Sequence, residues 1–238
     1  MIKLFGKIRQ KLLSENKFGK YLTYAIGEIV LVVIGILIAL QINNWNENRK
    51  LQAEITDIYK QIVIDLDNDI DEFSNVIKYY DSIKPVYDAV FSDTRTIDLL
   101  DDGLSRIMAG GPITNMNKGG IERLKSVASK DSLSLHLIEI YDTGTFLNLL
   151  EKKISDESWL VTTTFRDNYS WYPEWISKRI TKDNSSKELQ DYFVNSQEYR
   201  HYVISSYQKL YNSYLPNLQF GIVELENIRK SINERIDK

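Results

Sequence analysis

The sequence has no cysteine, and among its 238 residues it has only two histidines and four prolines. The absence of cysteine excludes disulfides, thiolate metal ligands and lipid attachment through a cysteine side chain. The two histidines, His136 and His201, are isolated from each other in the chain and do not supply the ligand set of a structural zinc site. We therefore expect no metal and no cofactor.

Catalytic and nucleotide-binding signatures are also missing. No G-x-S-x-G elbow is present, and the glycine pairs Gly110-Gly111 and Gly119-Gly120 fit neither the Walker pattern nor G-x-G-x-x-G. We read these glycines as turn residues. The sequence therefore predicts no catalytic residues and a protein that is not an enzyme.

Four alternating aspartates resemble the start of a calcium-binding loop: Asp65, Asp67, Asp69 and Asp71. An EF-hand also needs glycine at its sixth position and glutamate at its twelfth, and these positions hold Ile70 and Val76. Alternate residues of a helix point to different faces, so these carboxylates do not converge on one ion. We expect a solvated acidic face.

One long apolar run dominates what is present. Residues 21–42 read YLTYAIGEIVLVVIGILIALQI, and as a helix they would extend about 33 Å, the thickness of a hydrocarbon core. A span that began after Glu28 would reach only about 21 Å, so we expect Glu28 within the membrane or at its inner edge. The run exceeds the apolar core of a signal peptide, and no small residue precedes a cleavage point. A single retained signal anchor is predicted.

Charge predicts the orientation of this anchor. Residues 1–20 carry six lysines or arginines and one glutamate, whereas the whole chain carries −3, so the part after the span is acidic. The positive-inside rule places residues 1–20 in the cytoplasm, residues 21–42 in the inner membrane and residues 43–238 in the periplasm. An acidic exported domain does not suit nucleic-acid binding.

The N-terminal residues show an amphipathic pattern. Leu4, Phe5, Ile8 and Leu12 fall within one arc of a helix, and lysines lie beside that arc. This pattern predicts a helix in the membrane interface that binds lipid headgroups, with a basic tail that only sets orientation as the alternative. The headgroup-binding residues would be Lys3, Lys7 and Lys11.

One face of the predicted span suits close helix packing. Gly35 and Ala39 form a small-xxx-small pair, and Gly27 borders the same face. The predicted helix–helix interface would join copies of the chain or other inner-membrane proteins; the alternative is a lone lipid-facing span whose Glu28 bends toward the headgroups. The face, called the Glu28 stripe below, consists of Glu28, Val32, Gly35, Ala39 and Ile42.

Helical periodicity continues after the span. Apolar residues recur every three or four positions from Leu51 to Tyr80, and again from Val203 to Ile236, with a bend or restart near Pro216. Turn residues fill 92–120 around a short helix near 97–109, and Asp131 is positioned to cap the next helix. We predict an all-α fold: an N-terminal interfacial helix, one transmembrane helix and an antiparallel bundle of about five helices.

An aromatic cluster is the best candidate ligand site outside the membrane. Trp171, Tyr172 and Trp175 could form a stacking platform for a sugar or an apolar ligand. Aromatic residues four apart on a helix also pack at helix junctions. Both interpretations stay open at this point.

Residues 7–50, with Gly27-Glu28, Gly35, Ala39 and the exit sequence Asn-Asn-Trp-Asn at 43–46, resemble a known N-terminal signature. It is the signature of an uncharacterised family of single-span proteins abundant in Bacteroidetes, and a looser likeness runs from Gly120 to Tyr141. The resemblance implies an inner-membrane anchor with a helical periplasmic part, and no activity comes with it.

Three functions follow as hypotheses. The first is a membrane-anchored interaction or scaffold protein, an accessory subunit of an inner-membrane complex. The second is a periplasmic ligand sensor that signals through a partner. The third is an ion-coupled subunit that uses Glu28, which requires partner helices because one helix forms no pathway.

Overall fold

The computed structural model describes residues 18–127, 131–177 and 179–237, and these ranges are largely helical and contain no strand. The predicted all-α class is confirmed. The chain divides into two compact units, Met1–Ile55 and Thr56–Lys238. The predicted interfacial helix, with Lys3, Lys7 and Lys11, lies outside the described residues and stays a prediction.

Eight α-helices lie in the described ranges, with one 3-10 helix at Ile97–Leu100 and one π-helical segment at Leu210–Tyr214. The α-helices are α1 (Phe18–Phe91), α2 (Gly119–Ser126), α3 (Ser132–Thr143), α4 (Thr145–Asn168), α5 (Tyr172–Ile176), α6 (Lys187–Asn195), α7 (Gln197–Lys209) and α8 (Leu215–Ile236).

Helix α1 is 74 residues long because neither glycine nor proline occurs between Gly35 and Pro85. It continues six residues beyond Pro85, although proline removes the helical donor for the carbonyl of Asp81. The neighbouring carbonyl, that of Tyr80, accepts a hydrogen bond from the Tyr211 hydroxyl at 2.7 Å. The Tyr211 side chain therefore donates a hydrogen bond to the α1 backbone one residue before the carbonyl that Pro85 leaves without a helical donor.

The first unit contains the apolar part of α1. Its large apolar side chains, from Leu22 to Trp45, are exposed within the chain. It holds the one helix among the described residues that is long and apolar enough to cross a membrane, and none of its most apolar window is buried. This helix is compatible with a single-pass membrane protein.

In the second unit, α1 runs antiparallel to α7 and α8. Asp67 pairs with Arg229 of α8, and further along α1 the carbonyl of Phe91 accepts a hydrogen bond from Arg200 of α7 at 2.9 Å. Residue numbers thus rise along α1 while they fall along its neighbours. The predicted restart near Pro216 is correct, since the proline lies in the first turn of α8 after the π-helical segment.

Helix α3 runs parallel to α1. The Tyr59 hydroxyl lies 2.8 Å from that of Ser134, and further along both helices the Tyr141 hydroxyl donates to Asp69 at 3.1 Å. A parallel pair needs a return connection, and an irregular segment provides it instead of a helix. This segment, residues 111–118, is called the strap below.

Two predictions concerned the cap of α3 and a short helix near residues 97–109. The cap on α3 is confirmed, because a side-chain oxygen of Asp131 accepts the backbone N–H of Ser134 at 3.0 Å. The short helix expected near 97–109 is shorter than predicted: the 3-10 helix ends at Leu100, and turns follow to Met108. Gly103, with φ +100°, adopts the left-handed conformation that such a turn requires.

Candidate functional site

The Glu28 stripe lies on the apolar part of α1. Because this part is helical throughout, the 4-3-4-3 spacing places the stripe residues on one face. A Cβ added at Gly27 or Gly35 would meet no atom within 4 Å, and Val32 is 54% exposed. Within one chain this face is open to lipid or to another helix, and its role as an interface stays a prediction.

The aromatic residues Trp171 and Trp175 are buried, with exposed fractions of 3% and 5%. Their rings pack edge-on against Phe165 of α4 at 5.3 and 5.0 Å between centroids, and Tyr192 of α6 packs there at 5.4 Å. The indole of Trp175 donates to the carbonyl of Ser105. This arrangement favours the packing interpretation, since neither indole presents an open face; Tyr172 is half-buried beside them. Ligand binding here stays a prediction.

Carboxylates of α1 accept hydrogen bonds from the strap and from the start of α2. Backbone N–H groups of the strap and of the first turn of α2 donate to carboxylates spaced three and four residues apart on α1. These bonds join Asn115 to Glu72 at 3.0 Å, Asn117 to Asp69 at 2.9 Å and Gly120 to Asp65 at 3.0 Å. The strap therefore runs antiparallel to α1, and these three backbone donors have side-chain acceptors on α1.

A fourth carboxylate holds the strap from α4. Glu151 is buried and accepts the backbone N–H of Thr114 at 3.1 Å, the Thr114 hydroxyl and the Tyr214 hydroxyl at 2.8 Å. A buried carboxylate is stable only when its oxygens accept hydrogen bonds or an ion pair. Glu151 thus joins the strap to α4 and to the π-helical segment.

Asp69 is fully buried, so the expectation of a solvated acidic face is wrong at this position. It accepts from the backbone N–H and side-chain amide of Asn117 and from the Tyr141 hydroxyl. Burial raises the pKa of the Asp69 carboxyl, and the hydrogen bonds from Asn117 and Tyr141 oppose this shift in part. Asp65 accepts a hydrogen bond from the backbone N–H of Gly120, and Asp67 forms an ion pair with Arg229.

The absence of a calcium site at the aspartates of α1 stays a prediction. Among the described residues, no three histidine, aspartate or glutamate side chains lie in an arrangement that could hold a metal. The carboxylates of α1 that contact the strap already accept backbone donors. Their arrangement supports a structural role.

Two glycines allow the strap and the start of α2 to approach α1 closely. A Cβ at Gly120 would lie 2.6 Å from Cγ1 of Ile62, and a Cβ at Gly111 would overlap the Tyr80 hydroxyl. A larger residue at either point would require the facing side chains of α1 to move. The glycine pairs therefore do more than form turns, which their spacing alone did not indicate.

An apolar groove lies between the junction of α3 with α4 and helix α8. Its volume is about 470 Å³, and its lining includes Phe73 of α1, Met116 of the strap and the exposed rings of Phe146 and Phe220. Sequence analysis missed this groove. Its residues come from four separate segments, and no local pattern brings them together.

Part of the chain matches one protein family. Residues 28–94 match a family of unknown function (DUF6090). The match begins at Glu28 and covers the rest of α1, including the stripe and the carboxylates that hold the strap. It is consistent with the expected resemblance to an uncharacterised family. No curated protein and no solved structure shows significant similarity to the chain.

Proposed function

We propose that the chain is a non-enzymatic, single-pass protein of the inner membrane that acts as an interaction or scaffold subunit. Its Glu28 stripe binds another transmembrane helix, from a second copy or from another inner-membrane protein. Residues 1–20 face the cytoplasm, and the second unit lies in the periplasm. The observation that carries this proposal is the stripe, which combines the half-buried carboxylate of Glu28 with two exposed small residues, Gly35 and Ala39, on one helix face.

The energetic argument concerns Glu28 first. An ionised carboxylate costs on the order of 2.5–3.5 kcal/mol at the centre of a membrane helix and less toward its edge, and a hydrogen bond from a neighbouring helix offsets part of this cost. Gly35 and Ala39 lie on the same face and permit two helix backbones to approach closely. A partner helix on this face would therefore gain packing and also lower the cost of burying Glu28.

The orientation rests on charge. The basic residues precede the apolar run, and the acidic remainder follows it. Translocation across the inner membrane retains lysine and arginine on the cytoplasmic side. The second unit would then meet its partners in the periplasm.

The test is purification of the tagged full chain from its native membrane in a mild detergent, followed by native-size analysis and mass spectrometry. Glu28→Leu and Gly35→Leu should each remove the partners or the oligomer. The matched control is Leu37→Phe, which adds bulk on the opposite face and should change neither. Circular dichroism must show that the second unit stays folded in all three variants. An assembly that persists in both stripe variants would contradict the proposal.

A further inference from the structure

We propose that the groove between the α3–α4 junction and α8 binds a small organic cation, a molecule with an apolar body of about one aromatic ring and a protonated amine. This ligand site is separate from the Glu28 stripe and does not depend on the function proposed for it. The inference rests on the shape of the groove, on its exposed aromatic rim and on the sign of its charges.

Two glycines keep the groove open. At Gly221 in α8, a Cβ would lie 3.0 Å from Cε2 of Phe73, and at Gly144, between α3 and α4, a Cβ would lie 3.3 Å from the sulfur of Met116. Larger side chains at these two points would occupy the space over the floor of the groove. The volume of about 470 Å³ is within the range of small-molecule sites.

The rim exposes two aromatic rings. Phe146 is 55% exposed and Phe220 is 66% exposed, although both line a concave surface with an apolar floor. A ligand with an apolar body would cover these rings and remove their area from water, which favours binding by roughly 25 cal/mol per Å². Neither ring is needed to complete the buried core.

The charges select a cation. Glu139 and Glu224 line the groove together with His136, and no lysine or arginine does. Glu224 is half-buried and forms no ion pair with any residue that the structure describes. An ammonium group beside these carboxylates would form charge-assisted hydrogen bonds with them, whereas an anionic ligand would be repelled.

The test uses the methionine content of the chain. Only Met1, Met108 and Met116 are present, so the full chain in nanodiscs, labelled with 13C at the methionine methyl groups, gives few signals. Met116 lines the groove, whereas Met108 is buried and does not line it. The probes are 2-phenylethylamine, 2-phenylethanol and 3-phenylpropanoate, which share an aromatic body and differ in charge.

We expect a saturable shift of the Met116 signal with the amine, binding about tenfold weaker for the alcohol and no binding for the carboxylate. Met108 should not shift. No saturable shift with the amine, or equal shifts with all three probes, would overturn the proposal.

Variants of the groove residues show whether the amine binds in the groove. Phe220→Ala should abolish the amine-dependent shift, and Glu224→Gln should reduce amine binding to the level of the alcohol. Both side chains are at the surface, so we expect both variants to fold. Trp159→Ala, which removes an equally exposed aromatic ring outside the groove, is the control and should leave the shift unchanged. Unchanged amine binding in Phe220→Ala and Glu224→Gln would also overturn the proposal.

Discussion

Asp69 and Asn117 form a two-point contact between the middle of α1 and the strap. One carboxylate oxygen of Asp69 accepts the backbone N–H of Asn117 at 2.9 Å and its side-chain amide at 3.0 Å. Because Asp69 is fully buried, these bonds replace the water that would otherwise solvate the carboxylate.

Removal of the Asp69 carboxylate should destabilise the second unit. Asp69→Ala leaves the donors of Asn117 and Tyr141 without an acceptor, which costs about 1–3 kcal/mol for buried polar groups. A urea titration of the full chain in detergent measures this loss as a lower free energy of unfolding. Asp71→Ala is the control, since Asp71 is exposed on the same helix and should change stability by less than about 0.5 kcal/mol. Equal losses in the two variants would contradict the account.

The glycine pair at 119–120 should respond unequally to the same substitution. Gly120→Ala places a Cβ against Ile62 and Asp65 and should cost about 1–3 kcal/mol of stability. Gly119→Ala should be neutral or slightly stabilising, because a Cβ there meets nothing within 4 Å and alanine favours the helix. Thermal unfolding of both variants, followed by circular dichroism, checks this. Similar melting temperatures for the two would show that the start of α2 does not approach α1 this closely.

The pH dependence of stability should reflect Asp69. Burial raises its pKa in the folded chain above the value of about 3.9 for an unfolded aspartate. The folded state therefore binds this proton more tightly, so the stabilisation from this group is present below pH 3.9 and is lost as pH rises through the folded pKa. The free energy of unfolding of the wild type, relative to Asp69→Asn, should increase as pH falls from 7 toward 4. A relative stability that falls over this interval would mean that the hydrogen bonds outweigh burial.

Glu28 offers a test between assembly and ion coupling. Glu28→Gln preserves the shape and hydrogen-bonding capacity of the side chain but cannot ionise. If the stripe acts as an interface, Gln should retain most of the assembly that Leu loses, as native-size analysis would report. If Gln abolishes function as fully as Leu while assembly persists, the ion-coupled hypothesis gains over the scaffold.

Local patterns were enough to predict much of the helical structure. The apolar periodicity from Leu51 to Tyr80 predicted the helical continuation of the span, Asp131 marked the start of α3, and Pro216 marked the restart in the last helical segment. Each of these features depends on residues within one or two turns of each other.

The functional surfaces depend on contacts between distant parts of the chain. The apolar periodicity from Leu51 to Tyr80 did not indicate that Asp69 would be fully buried, because its hydrogen-bond donors lie 48 and 72 residues further along the chain. The groove likewise needs Phe73, Met116, Phe146 and Phe220 together. No pattern in one segment predicts such a combination.

The most direct test of the central claim uses the natural absence of cysteine. Single cysteines introduced at Val32, Gly35 or Ala39, and at Leu37 on the opposite face, can each carry a benzophenone maleimide in native membranes. Illumination links the label to any protein within reach. We predict covalent protein adducts from the three stripe positions and none from position 37. Adducts that are absent, or that form equally from both faces, would contradict a helix-binding role for the stripe.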